Sequence, residues 1–198
     1  KGEGETIVHG CFVVVNGRKA SFEGLTVKGS SGDGVISSGV GTKIFLKNVT
    51  MEKCQESGVS VYSGAKLVAK DCQICQNGLC GVFVDGSTTT AHLTNCNSHH
   101  NRCDGVFAYR GAVVDLMGEG TSVHDNERCG LQAYYHGSSM NIYIPSRSIT
   151  ALVHHNKGND LYTVSGGKIQ SQLSSSSLEL TVIQEAAPVV DDEDEEDY

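Results

Sequence analysis

The stretch Gly81-Val82-Phe83-Val84-Asp85-Gly86 decides the fold, because copies of it run through most of the chain. Each copy is a glycine or acidic residue, a short apolar strand and a closing glycine. The residue before the strand is Gly10, Gly34, Gly58, Gly81, Gly105, Gly130 and, less cleanly, Asp160, at steps of 24, 24, 23, 24, 25 and 30. Repeats of near-constant length, each burying its apolar face against its neighbours, are the signature of a solenoid.

Every copy continues into a second strand, such as Lys43-Ile44-Phe45-Leu46, Lys66-Leu67-Val68-Ala69 and Ala112-Val113-Val114-Asp115-Leu116. A third strand begins about ten residues before the next glycine, with small or apolar residues at alternate places: Val49 and Met51, Cys72 and Ile74, Cys96 and Ser98. The position four before the glycine reads Ser30, Cys54, Asn77, Asn101, Asn126, Asn156. Asparagine tolerates left-handed backbone, and its amide can bond to the coils on either side, so four in phase predict an asparagine ladder at a turn. A leucine-rich repeat would show a Leu-x-x-Leu-x-Leu frame instead, and none is present.

Three strands per coil, the glycine-bounded arc and the asparagine turn resemble the right-handed parallel β-helix superfamily over roughly residues 7 to 172. That superfamily includes pectate lyases, polygalacturonases, alginate epimerases and noncatalytic β-helix modules of some F-box and adaptor proteins, and the resemblance is closer to the noncatalytic modules. It implies an all-β solenoid of about seven coils. The β-helix is expected over residues 1–183, with Leu178 to Ile183 as a last strand covering the open end, and residues 184–198 as a disordered acidic tail. The longer step at residues 138–160 reads as an enlarged turn around Pro145-Ser146-Arg147-Ser148.

Composition agrees with short strands and tight turns: 198 residues hold 24 glycines, two prolines and no tryptophan. The formal charge of −8 is local, because Asp191 to Asp197 supplies seven of the 23 acids and leaves 16 against 15 Lys plus Arg. With no basic stripe, nucleic acid is not expected as a partner. No apolar run approaches the ~20 residues of a membrane helix. No signal peptide is visible, and the chain opens within the repeat at Lys1-Gly2-Glu3-Gly4, as a processed form or a piece of a longer protein would. A chain of this length has a core without disulfides, so the eight cysteines read mainly as core packing; free thiols would favour an intracellular location, which the sequence does not otherwise indicate.

The enzymes of the superfamily imply specific constellations. A pectate lyase would carry a calcium-binding acidic cluster beside an Arg or Lys, and a polygalacturonase would carry clustered aspartates followed by Gly-His-Gly; neither is found. Asp85, Arg110 and His136 are the one set expected to converge, near the closing turn of the arc, where they could act on a uronate. His99, His124 and His154 share a phase and would stack in a column, which makes them candidates for zinc or copper, although a column rarely converges on one point. No cofactor is expected.

Strand alternation offers more. If the first and third residues of each arc strand point inward, Phe83, Asp85, Phe107, Tyr109, Tyr134 and Tyr162 point outward, together with Phe12 and Val14 of the first copy. A solvated sheet face should be polar there. An aromatic one fits a protein-binding scaffold, coverage by the terminal segment or an adjoining domain, or stacking on sugar rings. A noncatalytic scaffold that docks a protein partner or assembly neighbour is therefore expected before a glycan-binding or uronate-active protein.

Overall fold

The computed structural model describes residues 6–144, 148–173 and 176–179. They form a parallel β-helix with three sheets along its length. Sheet I contains Thr6–His9, Leu25–Lys28, Thr50–Glu52, Gln73–Cys75, Asn97–His99, Ser122–His124 and Val153–His154. Sheet II holds the arcs: Phe12–Val15, Val35–Ser38, Val59–Tyr62, Val82–Asp85, Val106–Tyr109, Leu131–Tyr134 and Leu161–Val164. Sheet III runs from Lys19–Glu23 through Lys43–Lys47, Lys66–Lys70, Thr90–Thr94, Val113–Met117 and Ser139–Tyr143 to Lys168–Leu173. Seven parallel strands per sheet agree with the expected coils and leave about six full turns between the first and the last. The eighth strand of sheet III, Ser176–Glu179, lies antiparallel on Lys168–Leu173 at the sheet edge. Leu180 to Ile183, the acidic tail and Pro145 to Arg147 lie outside the described residues.

The core is made of columns, because a parallel register places like on like in successive coils. In sheet I one inward column reads Val27, Met51, Ile74, Ser98, Val123, Val153, and all six are buried. Sheet II contributes Val59 and Val61, Val82 and Val84, Val106 and Ala108; sheet III contributes Leu67, Leu93 and Leu116. Cys72 and Cys96 are buried in the same interior, and every cysteine is a free thiol.

Two features of the turns explain the repeat signature. In the ladder, Asn77 Nδ2 donates to Asn101 Oδ1 (3.0 Å), Asn101 Nδ2 to Asn126 Oδ1 (3.0 Å) and Asn126 Nδ2 to Asn156 Oδ1 (2.9 Å). Each oxygen also accepts the backbone N–H of the preceding asparagine, and Asp160 Oδ1 ends the series by taking both donors of Asn156. The left-handed residue of this turn is the one before the asparagine, not the asparagine itself: Gln76, His100, Asp125 and His155 have φ of 58°, 56°, 54° and 57°. The asparagines are kept by their hydrogen bonds. The anchoring glycines are kept by close approach. A Cβ on Gly81 would stand 2.0 Å from Ser98 Oγ and 2.6 Å from the carbonyl oxygen of Gly105.

One expectation is corrected and one is refined. In the first coil Phe12 pairs with Val35, so Cys11 and not Gly10 corresponds to the anchoring glycine. Phe12 and Val14 therefore face inward, Phe12 stacking on Phe22 at 4.1 Å between ring centroids, while Val13 is 58% exposed. The enlarged turn contains a helical turn, Ile149–Leu152, whose N-cap Ser148 accepts from the N–H of Ala151. It buries Leu152 and leaves Ala151 exposed.

Candidate functional site

The outward residues of sheet II form two adjacent columns. One reads Ile36, Ser60, Phe83, Phe107, Gln132, Tyr162; the other reads Ser38, Tyr62, Asp85, Tyr109, Tyr134, Val164. Parallel pairing sets the spacing along each column, and the side-chain period of two sets the spacing between them. The aromatic rings consequently touch. Centroid distances are 5.8 Å for Tyr62 and Phe83, 5.3 Å for Phe83 and Phe107, 5.5 Å for Phe107 and Tyr109, and 5.7 Å for Tyr109 and Tyr134. These spacings are those of favourable tilted and edge contacts, and every ring in the run is half-buried.

Tyr135 extends the run and was not anticipated. It occupies the closing turn with φ of 69°, which returns its ring onto the face, 4.4 Å from Tyr134 and 5.3 Å from Tyr109. The signal was the tyrosine pair itself, but alternation assigns the second tyrosine to the other side. Tyr162 lies in the expected column one coil beyond Gln132, which separates it from Phe107. Gln132 is 5% exposed and its Oε1 has no hydrogen-bond partner among the described residues.

Asp85 points outward as expected yet is only 8% exposed, because Arg110 of the next coil closes over it. The guanidinium forms a two-point contact, Nε to Oδ1 at 2.8 Å and Nη2 to Oδ2, and lies 5.0 Å from the Tyr109 ring centroid. The hydrogen bonds that Arg110 donates to Asp85, and then the charge of that carboxylate, raise the Arg110 pKa above its ordinary value. The expected convergence of Asp85 and Arg110 is therefore present. His136 is exposed, and among the described residues no hydrogen bond or ion pair joins it to either.

His99, His124 and His154 do stack. Their rings are parallel within 3° and 5°, at 5.1 Å for each step. Each Nδ1 is engaged within its own turn: His99 with His100 (2.8 Å), His124 with Asp125 Oδ2 (2.7 Å) and His154 with His155 (3.2 Å). The column does not gather three ligand atoms at one point; among the described residues only Cys80, Cys103 and Asp104 do so. Burial first, then the neighbouring histidines, lowers the pKa of His99 and His154.

A family model described as a right handed beta helix region matches residues 5–146. The chain belongs to that family. No curated protein and no solved structure matches this β-helix. Among its described residues no helix is long and apolar enough to cross a membrane.

Proposed function

We propose that this β-helix is a noncatalytic scaffold that docks a protein partner across the aromatic face of sheet II. The observation that carries the reading is the unbroken ring-to-ring run Tyr62, Phe83, Phe107, Tyr109, Tyr134, Tyr135 on the outer surface of a sheet. Rings fixed by their neighbours lose little conformational freedom on binding, which is why aromatic residues dominate interface energetics.

The same face carries the second reading, a uronate-containing glycan, since tyrosine rings stack on sugars and Arg110 is a cation at their edge. Arg110 is already neutralised by Asp85 in a two-point contact, and an incoming carboxylate would have to displace it. That favours the protein partner. The test compares Phe107→Asp with Phe45→Asp, the latter altering an exposed aromatic residue of sheet III. A partner retained by Phe45→Asp and lost with Phe107→Asp, with no glycan binding, is the expected result. Binding or cleavage of uronate polymers that disappears on Tyr109→Ala or Asp85→Ala would overturn it.

A further inference from the structure

The turn between sheets I and II carries a second constellation, on the side of the coil that holds the asparagine ladder. The residue before the anchoring glycine is Cys80, Asp104 and Cys129 in three successive coils. Cys103 sits one place earlier, and its N–H bonds to the carbonyl of Leu79 (3.1 Å), which brings its thiol beside that of Cys80. Cys80 Sγ, Cys103 Sγ and a carboxylate oxygen of Asp104 all lie within 4.8 Å of one another. Cys103 Sγ is 3.5 Å from Asp104 Oδ2, and Arg128 Nη1 is 3.3 Å from Cys103 Sγ and 4.0 Å from Asp104 Oδ2. Asp104 is fully buried and held by the N–H of Cys129 (2.8 Å), Cys80 is 5% exposed, and Cys103 is half-open to solvent.

The other neighbouring thiols, at equivalent positions of successive coils, lie in the core. Cys72 and Cys96 are 0% and 3% exposed in the core, each donating to a backbone carbonyl, so no reagent reaches them in the folded chain. The pair at the turn differs in three ways: one thiol faces solvent, a guanidinium stands against it, and a buried carboxylate borders both sulfurs. Hydrogen bonding from Cys80, aided by Arg128 and opposed by burial and by Asp104, lowers the Cys103 thiol to about 7, and Cys103 and burial push Cys80 up. Burial raises the pKa of Asp104. Two thiols and a carboxylate are also metal ligands, but the guanidinium on Cys103 opposes a bound cation.

We propose that Cys80 and Cys103 form a thiol–disulfide exchange site for low-molecular-weight disulfides of the glutathione type, with Cys103 attacking and Cys80 resolving. The Cys103 thiolate attacks one sulfur of the small disulfide; a Cys103 mixed disulfide forms, the small S–S bond breaks and one thiolate leaves. The Cys80 sulfur then attacks Cys103 Sγ, the mixed disulfide bond breaks, and the second small thiolate leaves and takes up the proton that Cys80 gives up. Two protein thiols are oxidised and one small disulfide is reduced to two thiols. Closing the protein S–S bond to about 2 Å brings the sulfurs together from within 4.8 Å. The product joins two neighbouring coils.

The full reduced chain is incubated with glutathione disulfide and mapped as non-reduced peptides, with exposed Cys11 as internal control. The expected result is a Cys80–Cys103 link that a dithiol reverses, and in Cys80→Ser a glutathione adduct that persists on Cys103. Alkylation of Cys103 by iodoacetamide should show a midpoint near pH 7 that moves upward in Arg128→Met, with several-fold slower reaction at neutral pH. Should Cys80→Ser fail to fold, the wild-type map and the Arg128→Met profile still decide. An adduct confined to Cys11, a Cys103 adduct that survives in the wild type, or stoichiometric zinc that shields both thiols would each overturn the proposal.

Discussion

Truncating Asn101 to alanine tests whether the ladder holds the turns or merely decorates them. Asn101 Oδ1 accepts the backbone N–H of Asn77 at 3.2 Å and Asn77 Nδ2 at 3.0 Å, while Asn101 Nδ2 donates to Asn126 Oδ1 (3.0 Å) and the Ile74 carbonyl (3.2 Å). All three asparagines are 0% exposed, so water does not replace what is lost. Asn77 Nδ2 keeps the Met51 carbonyl at 3.3 Å, and Asn126 Oδ1 keeps the N–H of Asn101 at 3.1 Å. The group left stranded is the Asn77 N–H. One buried orphan donor costs about 1–3 kcal/mol, and the vacated amide volume adds to it, so a loss of about 3 kcal/mol is expected. Because a solenoid responds through its neighbours, the loss is best read both as urea stability and as hydrogen exchange at individual amides. Asn77 should lose protection in Asn101→Ala while Asn126, served by Asn156 Oδ1 at 3.0 Å, retains it. A loss below about 1 kcal/mol with Asn77 still protected would refute the ladder as a structural element.

Gly105→Ala should destabilise by about 1–3 kcal/mol, because its Cβ would meet Val123 Cγ1 at 2.3 Å and the Gly130 carbonyl at 2.8 Å, whereas Gly32→Ala, with its nearest contact at 3.8 Å, should melt at or above the wild type. Leu116→Ala removes a side chain of 0% exposure and should cost about 3–5 kcal/mol in urea unfolding; a cost under about 1 kcal/mol would contradict the columnar core. The histidine column should make stability acid-sensitive. With folded pKa values of His99 and His154 below the ordinary 6.5, their contribution is present above pH 6.5 and is lost as pH falls through the lowered values. The melting temperature should therefore fall between about pH 7.5 and about pH 5.5, and less so in His154→Gln; identical slopes in the two proteins would contradict this. The groups facing the two rings are His100, His124, His155, Asp125 and Asp160, and each His-His contact needs one neutral nitrogen as acceptor.

The coil, its sheets and the ladder were legible because each is a periodic constraint seen several times over. Where the period breaks, legibility ends. Cys11 to Val15 is apolar at every position, so alternation cannot say which residue begins the arc, and only pairing of Phe12 with Val35 fixes it. The candidate face shows the same division. Phe83, Phe107, Tyr109 and Tyr134 follow from alternation, but Tyr135 reaches the face through a left-handed turn, and Asp85 is covered by a side chain 25 residues away. The thiol cluster is harder still, since Cys80 and Cys103 stand at different phases of the coil and meet only because the turn allows the Cys103 thiol to lean beside the adjacent coil. A repeat register predicts contacts between equivalent positions. The chemistry of Cys80 with Cys103, and of Asp85 with Arg110, depends on contacts between inequivalent ones, and in a fold whose stability rests on equivalence these are the pairs on which the repeat makes no demand.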